Sequence, residues 1–257
     1  MLKRIHNPIR AWQHILDRVT ICSDEEAKNG LVLRLISRQQ PCVLSFINAH
    51  AANLAWQDAA FYEYIIASDV IVRDGAGMRL FFALLDRNAG MNLSGTDLIP
   101  ELLDRSARDN CLAVYGTQEP YLSAGVDRLQ SMGFEQVHAE HGFHGDEYYV
   151  ERFVDTHPSV VILAMGMPKQ ERVASLLRRV ASGENYSSLI INGGAIIDFM
   201  ANRVPRAPLW LQKLSLEWLY RLIQEPRRLW RRYIIGSPVF ILRVLLMLVL
   251  GSIKRSS

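Results

Sequence analysis

Six short apolar runs recur along the chain, each closed by glycine or a polar residue and followed by a helix-like segment. They are QPCVLSFINA (40–49), SDVIVRDGAG (68–77), CLAVYGT (111–117), EQVHAEHGFHG (135–145), SVVILAMGMPKQE (159–171) and SSLIINGGAIIDF (187–199). Apart from the more polar EQVHAEHGFHG, which reads as a strand and loop, the runs are apolar rather than alternating, so both faces of such strands must be covered. Strands alternating with helices specify a parallel sheet layered by helices, an α/β fold. Segments 50–68, 78–89, 119–132 and 146–156 read as helices, and residues 1–40 as a helical lead-in. Thr96 or Asp97 is placed to N-cap the helix that follows it. Ligands of such sheets bind at the carboxyl ends of strands. Asn48, Asp74, Gly116, Gly166 and Gly193 fall at those ends.

The composition, 49% apolar and 21% charged over 257 residues, is that of a globular chain and excludes disorder as the main state. The three cysteines, Cys22, Cys42 and Cys111, are too few and too scattered for a disulfide framework or a thiolate zinc cluster, which implies a reducing compartment. The basic N-terminus lacks the long apolar run of a secretory leader. Charge is distributed unevenly. Residues 200–257 carry 11 Lys/Arg against 2 Asp/Glu, a balance of +9, while residues 1–199 carry 18 against 24, a balance of −6. A basic tail on an acidic body points to a polyanion, either nucleic acid or an anionic membrane face.

The tail mixes Arg with Trp and Leu at helical spacing, broken by Pro205, Pro208 and Pro226. Its last apolar stretch, 238–254, is shorter than the ~20 residues needed to span a bilayer, and Arg243 interrupts it. An interfacial helix is therefore expected, with Arg and Lys at phosphate level and Trp and Leu in the acyl boundary. A core helix pair with a solvated basic face is the competing reading.

Several positions carry potential chemistry. Asp74 stands at a glycine-edged turn where a carboxylate can act as general base, although the local pattern alone favours a turn-former that bonds its own backbone. Asn48 offers an amide to sugar hydroxyls or phosphate, or else an Asx turn. The GMPKQE turn presents backbone amides to an anion, with Lys169 adding charge and Gln170 a donor; an ordinary strand–helix turn has the same sequence. Asp198 either binds substrate or caps. There is no P-loop, no clean GxGxxG, no DxD pair and no repeat. His138, His141 and His144 have a spacing that permits metal binding but better suits an exposed loop. No metal or other cofactor is expected.

In order, FINAH, RDGAGM, SGTDLIPELL, YGT, GFHG, AMGMPKQE, INGGAIIDFMANRVPRAP and LEWLYRLIQEPRRLWRRY resemble the WecG/TagA/CpsF family of bacterial glycosyltransferases over roughly residues 15–240. The resemblance implies a Rossmann-like core, residues 1–201, and a basic, amphipathic helical appendage, residues 202–257, that docks on membrane and completes the active site. It implies inverting, metal-independent transfer from a UDP-sugar to a polyprenyl-diphosphate-linked saccharide at the cytoplasmic membrane face, without nucleic acid. By position, Asp74 matches the proposed base. Asn48, Gln170 and Lys169, with Gly116, Thr117 and Asp198, match the substrate side, and Phe143 stands where Tyr is usual near the nucleotide. Arg206, Arg221, Arg228, Arg231 and Arg232 match the appendage arginines. Phe46 replaces a common Thr, Asn202 a common Gly, and Asn92 a common Arg whose phosphate charge tail arginines, Arg73 or Arg79 would have to supply. The sugar and acceptor glycan stay open, a homo-oligomer is possible through the apolar tail, and two other readings remain: a membrane or nucleic-acid module, and a nucleotide-dependent oxidoreductase.

Overall fold

The structure is a computed structural model and describes residues 6–214 and 216–255. Its centre is a seven-stranded sheet: β1 (Val19–Thr20), β2 (Cys42–Ile47), β3 (Val70–Arg73), β4 (Leu112–Gly116), β5 (Val137–Glu140), β6 (Val160–Ala164) and β7 (Leu189–Asn192). The spatial order is β1-β3-β2-β7-β6-β4-β5, and every pairing is parallel. The chain winds outward from β2 to β3, restarts at β4, and fills the gap with β6 and β7. The carboxyl ends of β2, β7, β6 and β4 thus meet at the middle of one sheet edge, where such folds hold ligands.

The helices are α1 (Pro8–Arg18), α2 (Glu25–Ile36), α3 (Ala49–Gln57), α4 (Ala59–Ile66), α5 (Ala76–Leu84), α6 (Gly95–Arg105), α7 (Tyr121–Ser131), α8 (Asp146–Thr156), α9 (Lys169–Gly183), α10 (Ile196–Met200), α11 (Leu209–Lys213), α12 (Glu217–Gln224), α13 (Pro226–Trp230) and α14 (Gly236–Arg255). A single π-turn, Arg231–Ile235, joins the last two.

Alternate strand residues feed opposite faces of the sheet, as the pleat requires. Leu44, Val114, Ile162 and Ile191 pack with Leu31, Leu98, Leu129 and Ile197 on one side. Ala113, Val161, Leu163 and Ile190 meet Tyr149, Phe153, Val173 and Leu177 on the other. A further cluster on that second side gathers Trp12, Ala51, Phe61 and Phe81, and α14 adds Phe240, Val244 and Met247 to it. The sheet layered by helices expected from the apolar runs is what forms, with the tail helix packed against it.

Four local expectations need correction. The lead-in is not purely helical, because Val19 and Thr20 pair with Ile71 and Val72 as an edge strand. The segment 50–68 is two helices: Asp58 accepts hydrogen bonds from the amides of Ala60 and Phe61 at 2.8 and 3.2 Å, and so ends α3 by capping α4. The helix at 95–105 is preceded by Ser94, not Thr96 or Asp97; Asp97 instead accepts a 2.6 Å bond from the Ser94 hydroxyl. The helix that carries the tail's last apolar stretch does not begin at Pro238. That proline falls in the first turn of α14, where its missing N–H is tolerated. The helix from Pro226 to Leu250 is therefore long and apolar enough, by length and composition, to cross a membrane.

Gly116 has a packing reason to be glycine. It has φ +150°, and a Cβ there would lie 2.2 Å from the carbonyl carbon of Ala164 on the paired strand. Gly116→Ala is expected to cost at least about 2 kcal/mol through backbone clash and strain, measured as a lowered urea midpoint with unchanged m-value. A midpoint within error of wild type would contradict this packing.

Candidate active site

A cavity of about 1330 Å³ opens at the carboxyl edge of the sheet. The ends of β2, β3, β4, β6 and β7 line one wall, and α12, α13, the π-turn and α14 line the other. The tail closes over the strand ends, so most chemistry-bearing residues from both parts of the chain share one space.

Asp74 follows β3, held by its amide's 2.9 Å bond to the carbonyl of Ile47. Asn48 follows the adjacent β2 and N-caps α3, its Oδ1 accepting from the amides of His50 and Ala51 at 3.1 and 3.0 Å. The Asx turn is therefore real, and the same side chain also hydrogen-bonds Asp74. Burial in the cavity wall pushes the Asp74 carboxyl above the usual carboxylate range, while Arg232, Asn48, Arg221 and Arg73 pull it back. Burial wins, leaving a carboxylate that is a better proton acceptor than a solvated one. His50, beside it on α3, is pushed down to about 4 by burial and the Arg232 charge, so it is a neutral imidazole at pH 7.

Arg73 does not take over the charge role that Asn92 lacks. Only 3% exposed, it spends Nε on the carbonyl of Ala89 at 2.8 Å, Nη2 on Gly90 at 3.0 Å and Nη1 on Gly75 at 3.1 Å. Asn92 braces the same turn, accepting from the Gly75 amide at 2.7 Å. The two residues shape the backbone that presents Asp74. Arg79 lines the cavity, as do Arg221, Arg228, Arg231 and Arg232. Arg221 lies over the Phe199 ring at 5.0 Å, Arg231 over Trp230 and Arg232 over Tyr233. Arg228 pairs with Glu225.

The remaining candidates separate. Thr117 donates to Asp198 at 2.6 Å, and Arg203 reaches the same carboxylate oxygen at 3.3 Å, so Asp198 ties the β4 turn to the start of the tail. Gln170 is 1% exposed; its Oε1 accepts from the Gly194 amide at 3.1 Å and its Nε2 donates to Glu171 at 2.8 Å. It braces the Gly193–Gly194 turn at the cavity floor. Lys169 lies outside the cavity lining. Its ammonium donates to the carbonyls of Gly142 and His144 at 2.8 and 2.6 Å, because the loop after β5 offers those acceptors closer than any cavity group. That anchor holds up Phe143, whose ring is 71% exposed at the cavity rim. Arg206 also lies outside, paired with Asp97, and Gly116 acts through packing alone. The rings of His141 and His144 stack at 3.9 Å, and among the described residues no group of three His, Cys, Asp or Glu is arranged to hold a metal ion.

The sequence matches the glycosyl transferase WecG/TagA/CpsF family over residues 15–252. The chain belongs to this family of glycosyltransferases. Its relatives include N-acetylglucosaminyldiphosphoundecaprenol N-acetyl-beta-D-mannosaminyltransferases. The protein of that name from Bacillus subtilis is 27% identical over 217 residues, covering 82% of this chain and 81% of the relative. Those from Bacillus spizizenii and Staphylococcus aureus are 27% and 28% identical, covering 72% and 77% of this chain and 71% and 77% of the relatives. The cavity wall of this WecG/TagA/CpsF member also contains residues that its sequence motifs do not single out. His50 closes the FINAH run, Glu217 sits in LEWLYRL, and Asn53 and Arg243 line the wall in direct contact with each other at 2.8 Å.

Glu171 gives this site a pH signature. It is 2% exposed, its Oε2 has no hydrogen-bond partner, and burial pushes its carboxyl up to about 7. A raised carboxyl stabilises the fold fully below its unfolded value and loses that contribution as pH rises through about 7. Glu171→Gln is therefore expected to match wild type below about pH 4 and to exceed it by about 3 kcal/mol above about pH 8, read from urea melts across pH. Parallel stability curves for the two proteins would refute the buried ionisation.

Proposed function

We propose that this glycosyltransferase moves a sugar from a UDP-sugar to a polyprenyl-diphosphate-linked saccharide, inverting the anomeric centre without a metal, at the cytoplasmic membrane face. The observation that carries the reading is Asp74, a carboxylate with raised proton affinity in a cavity whose opposite wall is built from tail arginines. The names of the relatives, with a diphosphoundecaprenol acceptor, support the acceptor class. In the proposed reaction Asp74 takes the proton of the acceptor hydroxyl as that oxygen bonds to the anomeric carbon. The bond from that carbon to the UDP oxygen breaks on the opposite face, and attack from that side inverts the centre. Negative charge develops on the departing diphosphate. Arg221, Arg232 and Arg79 line the cavity, along with the Gly193–Gly194 turn, and would offset that charge. The exposed Phe143 ring offers a stacking platform for uracil.

Membrane docking is proposed for the tail. Fifteen of the nineteen exposed large apolar side chains among the described residues lie between 209 and 250. Because α14 buries Phe240, Val244 and Met247 on the body, it would lie along the membrane surface rather than cross it, with Leu242, Leu245 and Leu246 outward. Replacing Leu242 and Leu246 together by Ser is expected to reduce co-sedimentation with anionic vesicles several-fold while the melting temperature stays near wild type. Unchanged sedimentation would remove this face from the docking surface.

The decisive assay is acceptor-dependent UDP release from a panel of UDP-sugars, with and without EDTA. Release is expected to survive EDTA and to fall about 10²–10⁴-fold in Asp74→Asn. The same variant is expected to melt higher at neutral pH, because it removes a carboxylate whose ionisation burial opposes. A loss below about tenfold would remove Asp74 from the base role, and release abolished by EDTA would overturn the metal-independent mechanism.

A further inference from the structure

The C-terminal helix carries one charge that its composition does not explain. Between Tyr233 and Ile253 the only charged residue is Arg243. On a helix whose outer face is Leu242, Leu245 and Leu246, an arginine would be expected to reach outward to phosphate. It turns inward instead. Its Nη1 donates to Asn53 Oδ1 at 2.8 Å and to the Asn53 carbonyl at 3.2 Å, and its guanidinium lies 5.4 Å from the centre of the Trp56 ring. Asn53, itself buried, returns a third bond from Nδ2 to the carbonyl of Gly236 at 2.7 Å. One asparagine on α3 thus grips α14 at two points, its first residue and a residue about two turns later.

Gly236 directly follows the π-turn that carries Arg231 and Arg232, and its amide closes that turn on the carbonyl of Arg231. The other contacts of α14 with α3 are apolar, and such contacts tolerate sliding and rotation. Directional bonds do not. A single polar pin in an apolar interface is a known way to fix register. Here the register sets where Arg232 stands relative to Asp74.

We propose that Arg243, through Asn53, is the positioning residue that holds the arginine-bearing π-turn in register over Asp74. This rests on the reading of Asp74 and the tail arginines given above. It acts through Asn53 and Gly236 rather than by touching substrate or lipid.

The test uses the full chain on anionic vesicles, comparing Arg243→Met, Asn53→Ala and the double variant. Displacing a catalytic group by about 1 Å costs on the order of a hundredfold, so kcat in Arg243→Met is expected to fall about ten- to a hundredfold. KM for the acceptor and vesicle binding are expected to stay at wild-type values. The double variant should be no worse than Asn53→Ala alone, since both remove one device. Arg243→Lys, which can still donate to Asn53, should recover part of kcat. Amide hydrogen exchange over residues 231–240 should quicken in Arg243→Met and Asn53→Ala alike. That readout needs no donor or acceptor and guards against a failure of the transfer assay itself. Preserved kcat, effects that multiply in the double variant, or exchange at the wild-type rate would each overturn the pin. Weakened vesicle binding would make Arg243 a lipid ligand, and a raised acceptor KM at constant kcat would make it a substrate contact. Either result also overturns the proposal. If Arg243→Met does not fold, Asn53→Ala carries the test: quickened exchange over residues 231–240 with lowered kcat supports the pin, and wild-type exchange with full kcat refutes it.

Discussion

A carboxylate placed in a cavity wall must have its charge compensated, and the compensation for Asp74 comes from far along the chain. Desolvation raises its proton affinity, and Arg232 is the largest opposing influence. The two residues are separated by most of the sequence and meet only because the tail folds back over the strand ends. Removing the tail would leave Asp74 at an open sheet edge, solvated and more acidic. The same cavity would lose the cations that line its second wall. The buried carboxylate and its electrostatic environment are therefore one construction, assembled when α14 docks on α3.

That construction is held by polar contacts with little redundancy. Ser45 and Ser68 pair at 2.8 Å, and Asn192 donates to Ser45 at 2.7 Å beneath the cavity. Gln170 and Glu171 brace the Gly193–Gly194 turn, and Arg73 with Asn92 braces the turn after β3. Buried polar groups of this kind cost stability unless every partner is present, and they fix geometry when it is. Asn192 Oδ1 and Glu171 Oε2 lack partners even so. The floor of the site thus trades stability for definition, which is the usual direction of that exchange at functional sites.

The sheet was legible because its central strands are apolar on both faces, a pattern that little else in a globular chain produces. Asp74 and Asn48 were legible as strand-end residues; local pattern favoured a turn-former at Asp74 and left Asn48 evenly balanced, and the resemblance raised both as site candidates. Lys169 and Arg206 were not legible. Their charge suggested anion binding, but where a cation points depends on which acceptors the fold brings nearest, and here these are the carbonyls of Gly142 and His144 and the carboxylate of Asp97. Arg73 misled in the same way. The break at Asp58 was missed because a helix-friendly composition on both sides hid an N-cap. The two-residue strand β1 carries no periodic signal at all.

Arg243 shows the limit most clearly. Read along the chain, an arginine in an apolar run interrupts it and argues for phosphate contact. Read across the fold, the same arginine faces Asn53, some 190 residues earlier. Hydropathy reports how much apolar surface a helix has, not which stripe of it faces protein. In α14, Phe240, Val244 and Met247 share the stripe with Arg243 that packs on the body, and Leu242, Leu245 and Leu246 form the one left outside. A helix that grips a core with one apolar stripe and leaves a second apolar stripe exposed is apolar nearly all round. Its polar pin then becomes the feature that tells one face from the other, and in the proposed reading that distinction aims the tail arginines at the cavity.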